Sequence, residues 1–226
     1  MFNNSKAYAL QGEGSIKSGA YVKENTGTVT ISTKNTYTGG NFLKGGTTIV
    51  SQLSNSVNPI GNLGGITTNT SKFTLENGAV LQTTAAVTNG SPMRMIGEQG
   101  GVINNSGDFV MEKSFYGTLL TKKGSGWLKT SASGAGLTRM IIAGGTVQNG
   151  SGNAAQTVEF QGGSLVDNVG TSNTIYIPKG KSGSWTTGNR CSYSNRITGE
   201  GSITIYCATE KGSNYYATRT PLALNL

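Results

Sequence analysis

The strongest constraint in this sequence is a unit that occurs twice at a fixed interval. Gly27 to Val50 reads GTVTISTKNTYTGGNFLKGGTTIV, and Gly126 to Gln148 reads GWLKTSASGAGLTRMIIAGGTVQ. In each copy 19 residues lead from the opening glycine to the second glycine of the closing pair. A shift of 99 carries Gly27 onto Gly126, Ser32 onto Ser131, Gly45-Gly46 onto Gly144-Gly145 and Thr47 onto Thr146. Where identity is lost, apolar class is kept: Val29 falls on Leu128, Phe42 on Ile141 and Leu43 on Ile142. A unit of fixed length with glycines at its corners marks a repeat fold.

Between and beyond the copies, glycine-led alternations continue, among them Gly78-Ala79-Val80-Leu81, Gly163-Ser164-Leu165-Val166 and Gly201-Ser202-Ile203. GEGSI occurs at Gly12 and again at Gly199. Period-2 alternation bounded by Gly and Asn reads as half-buried strand, and no window carries the i, i+3, i+4 spacing of a helix. Glycine supplies 35 of 226 residues, about 15% against a usual ~7%. Alone that would suit a flexible low-complexity segment; the β-branched alternations argue for a folded chain. Steps of 18 to 19 residues (Gly27 to Gly46, Gly126 to Gly145, Gly145 to Gly163) exceed the 8–12 residues expected of a sandwich or barrel. They fit the coil of a parallel β-helix, with Gly or Asn at corners where φ is positive.

The sequence therefore predicts an all-β parallel β-helix, one domain over residues 1–226. At ~4.8 Å per coil, nine to eleven coils would make a rod of roughly 45–55 Å. Val29, Ile31, Ile49, Leu128, Ile142, Val147 and Leu165 would line its interior, with Asn ladders at corners. Leu53 to Gly65, with Pro59, reads as a loop bulging from a coil, and Arg190 to Arg196 as another. The tail from Tyr215 holds Pro221 and no polar cap, so the last coil is expected to expose an edge that flanking segments of a longer parent chain would cover.

At NTYTGG, Asn35 to Gly40, between the Gly27 alternation and Gly45-Gly46-Thr47, the chain resembles the autotransporter-associated β-strand repeat, also called the passenger-associated transport repeat. The second copy resembles it through Lys122-Lys123-Gly124-Ser125-Gly126 and Gly144-Gly145-Thr146, with Gly134-Ala135-Gly136-Leu137 in place of the tyrosine motif. Together the copies cover about a fifth of the chain. The resemblance implies a right-handed parallel β-helix serving as scaffold in a large bacterial surface or secreted protein, with no catalytic residues to carry over.

The residue inventory narrows the chemistry. Histidine is absent, which removes Ser-His-Asp and Cys-His systems and most zinc sites. None of the ten acidic residues is adjacent to another, and calcium-loop and phosphate-loop motifs are missing. Glu159 and Asp167 could meet on neighbouring coils of a lyase-like site, although solvated surface carboxylates are the simpler reading. The net charge of +8 comes from dispersed cations with one adjacent basic pair, Lys122-Lys123, so no dedicated nucleic-acid groove is expected. No apolar run reaches membrane-spanning length, and no basic region with an apolar core opens the chain.

Two further groups are candidates. Cys191 and Cys207, the only cysteines, lie close to one coil apart, within reach of a disulfide; two buried thiols are the alternative. Trp185, Arg190, Tyr193 and Arg196 mix aromatic and cationic character, as a sugar- or base-stacking surface would, although such residues also pack under loops. The expectation is a non-enzymatic stalk or adhesin-like segment, extracellular or on a bacterial cell surface. It needs no cofactor or metal, and its partners would be glycans or other surface proteins. A carbohydrate-binding or polysaccharide-lyase β-helix is the alternative.

Overall fold

A computed structural model describes residues 1–130, 136–150, 155–167, 171–188, 193–211, 214–217 and 222–226. Among these residues there is no helix; there are 24 strands, numbered in chain order, of which β1 to β22 stack as a parallel β-solenoid of about nine turns. The expected fold class is the one found.

Three ladders run along the rod. The first joins β1 (Phe2–Asn3), β3 (Tyr21–Glu24), β5 (Asn41–Leu43), β7 (Phe73–Glu76), β10 (Met93–Ile96) and the start of β13 (Phe115–Lys123). The second joins β2 (Tyr8–Leu10), β4 (Thr28–Ile31), β6 (Thr47–Val50), β8 (Ala79–Thr83), β11 (Gly101–Asn105) and the end of β13. It continues through β15 (Gly136–Ile142), β17 (Thr157–Phe160), β19 (Thr174–Ile177) and β21 (Arg196–Gly199). The third joins β9 (Val87–Asn89), β12 (Phe109–Met111), β14 (Trp127–Thr130), β16 (Thr146–Asn149), β18 (Ser164–Asp167), β20 (Ser182–Thr187) and β22 (Ser202–Lys211). Strand β13 rounds a corner: Phe115–Gly117 pair with β10 and Leu120–Lys123 with β11.

Strand alternation sends every second side chain inward, and parallel register stacks like positions turn upon turn. On the third ladder Val87, Phe109, Leu128, Val147, Leu165 and Trp185 form one continuous buried column. Each such side chain contributes roughly 1.5–3 kcal/mol when fully buried. No turn can bury its own face alone, so stability must be cooperative along the rod.

The duplicated unit is preserved in structure but turned by one ladder. In the first copy β3 and β5 lie on the first ladder and β4 and β6 on the second. Their counterparts 99 residues later are the ends of β13 and β15 on the second ladder, and β14 and β16 on the third. Local surroundings match: Gly27 N donates to Asn4 O at 2.9 Å and Gly126 N to Asn105 O at 3.0 Å. The unit is thus a portable corner rather than a marker of one face.

One expected core residue is corrected. Ile49 faces outward and is half-buried, while Thr48 and Val50 point in. Gly46, at φ 63°, sets the parity of β6, and Thr48 takes the inward place with its hydroxyl 3.0 Å from Tyr21 Oη. Residues 53–65 form the expected irregular bulge; Glu112 holds its tip through Ser56 N (2.9 Å) and Ser56 Oγ (2.6 Å). The bare last edge is also corrected on the third ladder. The chain turns back, and β23 (Asn214–Ala217) and β24 (Leu222–Asn225) pair antiparallel along β22, ending the parallel stack there.

Candidate functional site

The two closing glycine pairs each shelter a lysine that no periodicity flagged. Lys23 and Lys122, themselves 99 residues apart, have no exposed surface. Lys23 Nζ donates to the carbonyls of Glu24 (2.5 Å), Asn25 (2.9 Å) and Gly45 (3.5 Å). Lys122 Nζ donates to the corresponding carbonyls of Lys123 (2.7 Å), Gly124 (3.0 Å) and Gly144 (3.2 Å). Each ammonium therefore fills a corner whose carbonyls point inward. Burial pushes both lysines below the ordinary ammonium range, Lys122 to about 8. These groups are structural pins, closed to solvent.

Asp167 ends β18 inside the rod with no exposed surface. Its carboxylate accepts from Trp185 Nε1 (2.9 Å), Asn149 Nδ2 (3.2 Å) and Thr171 Oγ1 (3.4 Å). Burial raises its pKa to about 6 against the opposing pull of these donors. Asp167 belongs to a polar column, Thr130, Asn149, Asp167 and Thr187, on successive turns. This is the corner ladder foreseen for asparagine, with a carboxylate in one rung.

Of the expected aromatic surface, Trp185 is corrected by the same geometry. Trp185 is 4% exposed, at an inward position of β20 above Leu165, so its ring faces the core. Tyr193 packs edge-on against it at 5.3 Å, donates its hydroxyl to Asp167 O at 2.9 Å and accepts from Gly188 N at 2.6 Å. Arg196 is exposed at the start of β21. Arg190 and Cys191 lie outside the described residues; Cys207 lies on β22 opposite Thr187 in register. Trp185 and Tyr193 do come together, as interior packing.

Glu159 and Asp167 do not meet. Glu159 sits on the second ladder, 2% exposed, paired with Arg139 and hydrogen-bonded by Gln161. Asp167 sits on the third ladder with partners of its own. Neither is the solvated carboxylate the sequence suggested, because each has local donors that a buried charge requires. No group of three potential metal ligands occurs among the described residues.

The exposed tryptophan is Trp127, 39% exposed on the outer side of β14. Lys129 reaches back across it, Nζ 5.6 Å from the ring centroid and 2.6 Å from Asp108 Oδ2. Parity could have located it: Leu128, the counterpart of Val29, must point inward, so Trp127 must point out. In register above Trp127 stand Thr146, Ser164, Ser184 and Thr204, all half-buried on the outer face. No family model, curated protein or solved structure matches this chain.

Proposed function

We propose that the chain is a non-enzymatic β-solenoid scaffold, a stalk or adhesin-like segment of a bacterial surface or secreted protein. The observation that carries this reading is how the buried polar groups are used. Lys23, Lys122, Glu159 and Asp167 each bind the fold's own backbone or side chains, and among the described residues no second catalytic group converges on any of them. The residues behind the family resemblance are used in the same way. Tyr37 is buried and donates to Asn41 Oδ1 at 2.8 Å, and Asn35 Nδ2 donates to Asn62 O at 2.7 Å. They hold corners. Low charge, abundant Ser, Thr and Asn, and a closed cooperative rod suit a load-bearing segment outside the cell.

Antibodies against the rod, applied to intact and permeabilised cells of the native host, test the placement. Labelling of intact cells is expected, and signal confined to permeabilised cells would overturn it. Incubation with acidic and neutral glycans in the presence of Ca²⁺ tests the absence of catalysis; glycan cleavage would remove the scaffold reading.

A further inference from the structure

The geometry points to the outer face of the third ladder as a binding face for a neutral, extended glycan, with Trp127 as its stacking platform. This names a ligand class for the adhesin reading and rests on it.

Parallel register places Trp127, Thr146, Ser164, Ser184 and Thr204 in one outward row, a rung apart. At ~4.8 Å per rung the row spans roughly 19 Å. Beside it runs a second outward row: Lys129, Gln148, Val166, Thr186 and Tyr206. From β14 to β22 the face is therefore a shelf of mostly polar side chains, with Val166 among them, running from Trp127 to Tyr206 diagonally opposite. Its rung spacing is close to the advance of one sugar ring in an extended polysaccharide. A pyranose offers an apolar C–H face to an aromatic ring and hydroxyls along its rim, which matches indole followed by hydroxyls and an amide.

Two observations select this occupant. The first is unused hydrogen-bonding capacity. Ser164 and Ser184 bond each other at 2.7 Å, but the side chains of Trp127, Thr146, Gln148, Thr186 and Thr204 have no hydrogen-bond partner among the described residues. The second is charge. The chain carries +8, yet among the described side chains of β14 to β22 the two outward rows hold one charge, Lys129, which Asp108 neutralises at 2.6 Å. Among the described residues an anionic polymer would find no unpaired cation in these two rows, and nucleic acid needs several phosphate-directed cations. A protein partner would want a more apolar centre than a row of hydroxyls. A neutral glycan meets both conditions.

The chain has two tryptophans, of which Trp185 is buried and Trp127 exposed, so tryptophan emission reports on this face. The purified full chain is titrated with cellohexaose, mannohexaose and their disaccharides, and with a hexagalacturonate as the anionic control, by emission and by calorimetry. A neutral hexaose is expected to give a saturable blue shift and to bind roughly tenfold more tightly than its disaccharide. Trp127→Ala is expected to weaken that binding about tenfold or more. The paired change Thr146→Ala with Gln148→Ala should also weaken it while Trp127 emission still reports. Both sets of positions face solvent, so the melting temperature should hold. Absence of any response to both neutral hexaoses, unchanged affinity in Trp127→Ala, or binding of the anionic oligomer alone would each overturn the assignment. Such a failure removes the glycan and leaves the surface placement, which cell labelling decides separately.

Discussion

Replacing Asp167 with Asn should make the protein more stable at neutral pH, not less. Asp167 is fully buried, and its folded pKa of about 6 stands above the ordinary 3.8 because desolvation outweighs its hydrogen bonds. A raised carboxyl pKa means the fold prefers the neutral acid. Between pH 3.8 and about 6 the folded state holds a proton that the unfolded state has released, so stability falls as pH rises through that window. Integrated over the gap, ionisation costs about 3 kcal/mol at pH 7. Asn keeps the shape of the neutral acid: its Oδ1 can accept from Trp185 Nε1 and its Nδ2 can donate to the Asn149 amide oxygen. The Thr130 hydroxyl, 3.3 Å from Asn149 Oδ1, serves either amide orientation. Asp167→Asn is therefore expected to gain up to about 3 kcal/mol at pH 7.5, a rise of roughly 6–12 °C in melting temperature for a chain of this size. At pH 3.5 the two proteins should melt together. Thermal unfolding at both pH values, followed by near-UV circular dichroism, reads the difference because Trp185 is bonded to the altered group. If Asp167→Asn is less stable than the parent at pH 7.5, the three donors outweigh desolvation and the reasoning fails.

Lys122→Met should destabilise by roughly 2–5 kcal/mol in denaturant unfolding, because three corner carbonyls lose their donor inside the rod. The folded pKa of Lys122, lowered to about 8, also means its contribution to stability grows as pH rises from about 8 to 10.5, and that slope should vanish in Lys122→Met. Gly145→Ala and Gly180→Ala separate conformational cost from collision. Both glycines have φ near +70° (64° and 71°), but a Cβ at Gly180 meets nothing, whereas one at Gly145 strikes the carbonyls of Gly126 and Gly124. About 1–2 kcal/mol is expected at Gly180 and clearly more at Gly145, so equal losses in urea unfolding would contradict the corner geometry. Glu112→Ala should free the 53–65 bulge and speed proteolysis near the 90%-exposed Val57 with little change in global stability; unchanged cleavage would mean the clamp does not hold the loop.

The sequence by itself determined that the chain coils. Glycines at Gly46 and Gly145, aliphatic residues at Leu43 and Ile142, and the interval of 99 are local features, and local steric rules turn them into corners and inward positions. Extending the repeat backward would have shown more. Lys23 falls on Lys122, and Asn25 (φ 59°) falls on Gly124 (φ 78°), two residue types that tolerate the same left-handed corner. Only the tertiary structure decided what the corners enclose and which way each strand faces. A slip of one residue exchanges the inner and outer sides of a strand, so Thr48 rather than Ile49 enters the core, and Trp185 lies inside while Trp127 lies outside. Burial of Lys122 and Asp167 depends on donors and acceptors supplied by neighbouring turns, about twenty residues away along the chain. The turning of the second copy onto the next ladder likewise depends on the coils between the copies. Those relations arise only when the turns are stacked, because the partners of each group come from the rung above or below it.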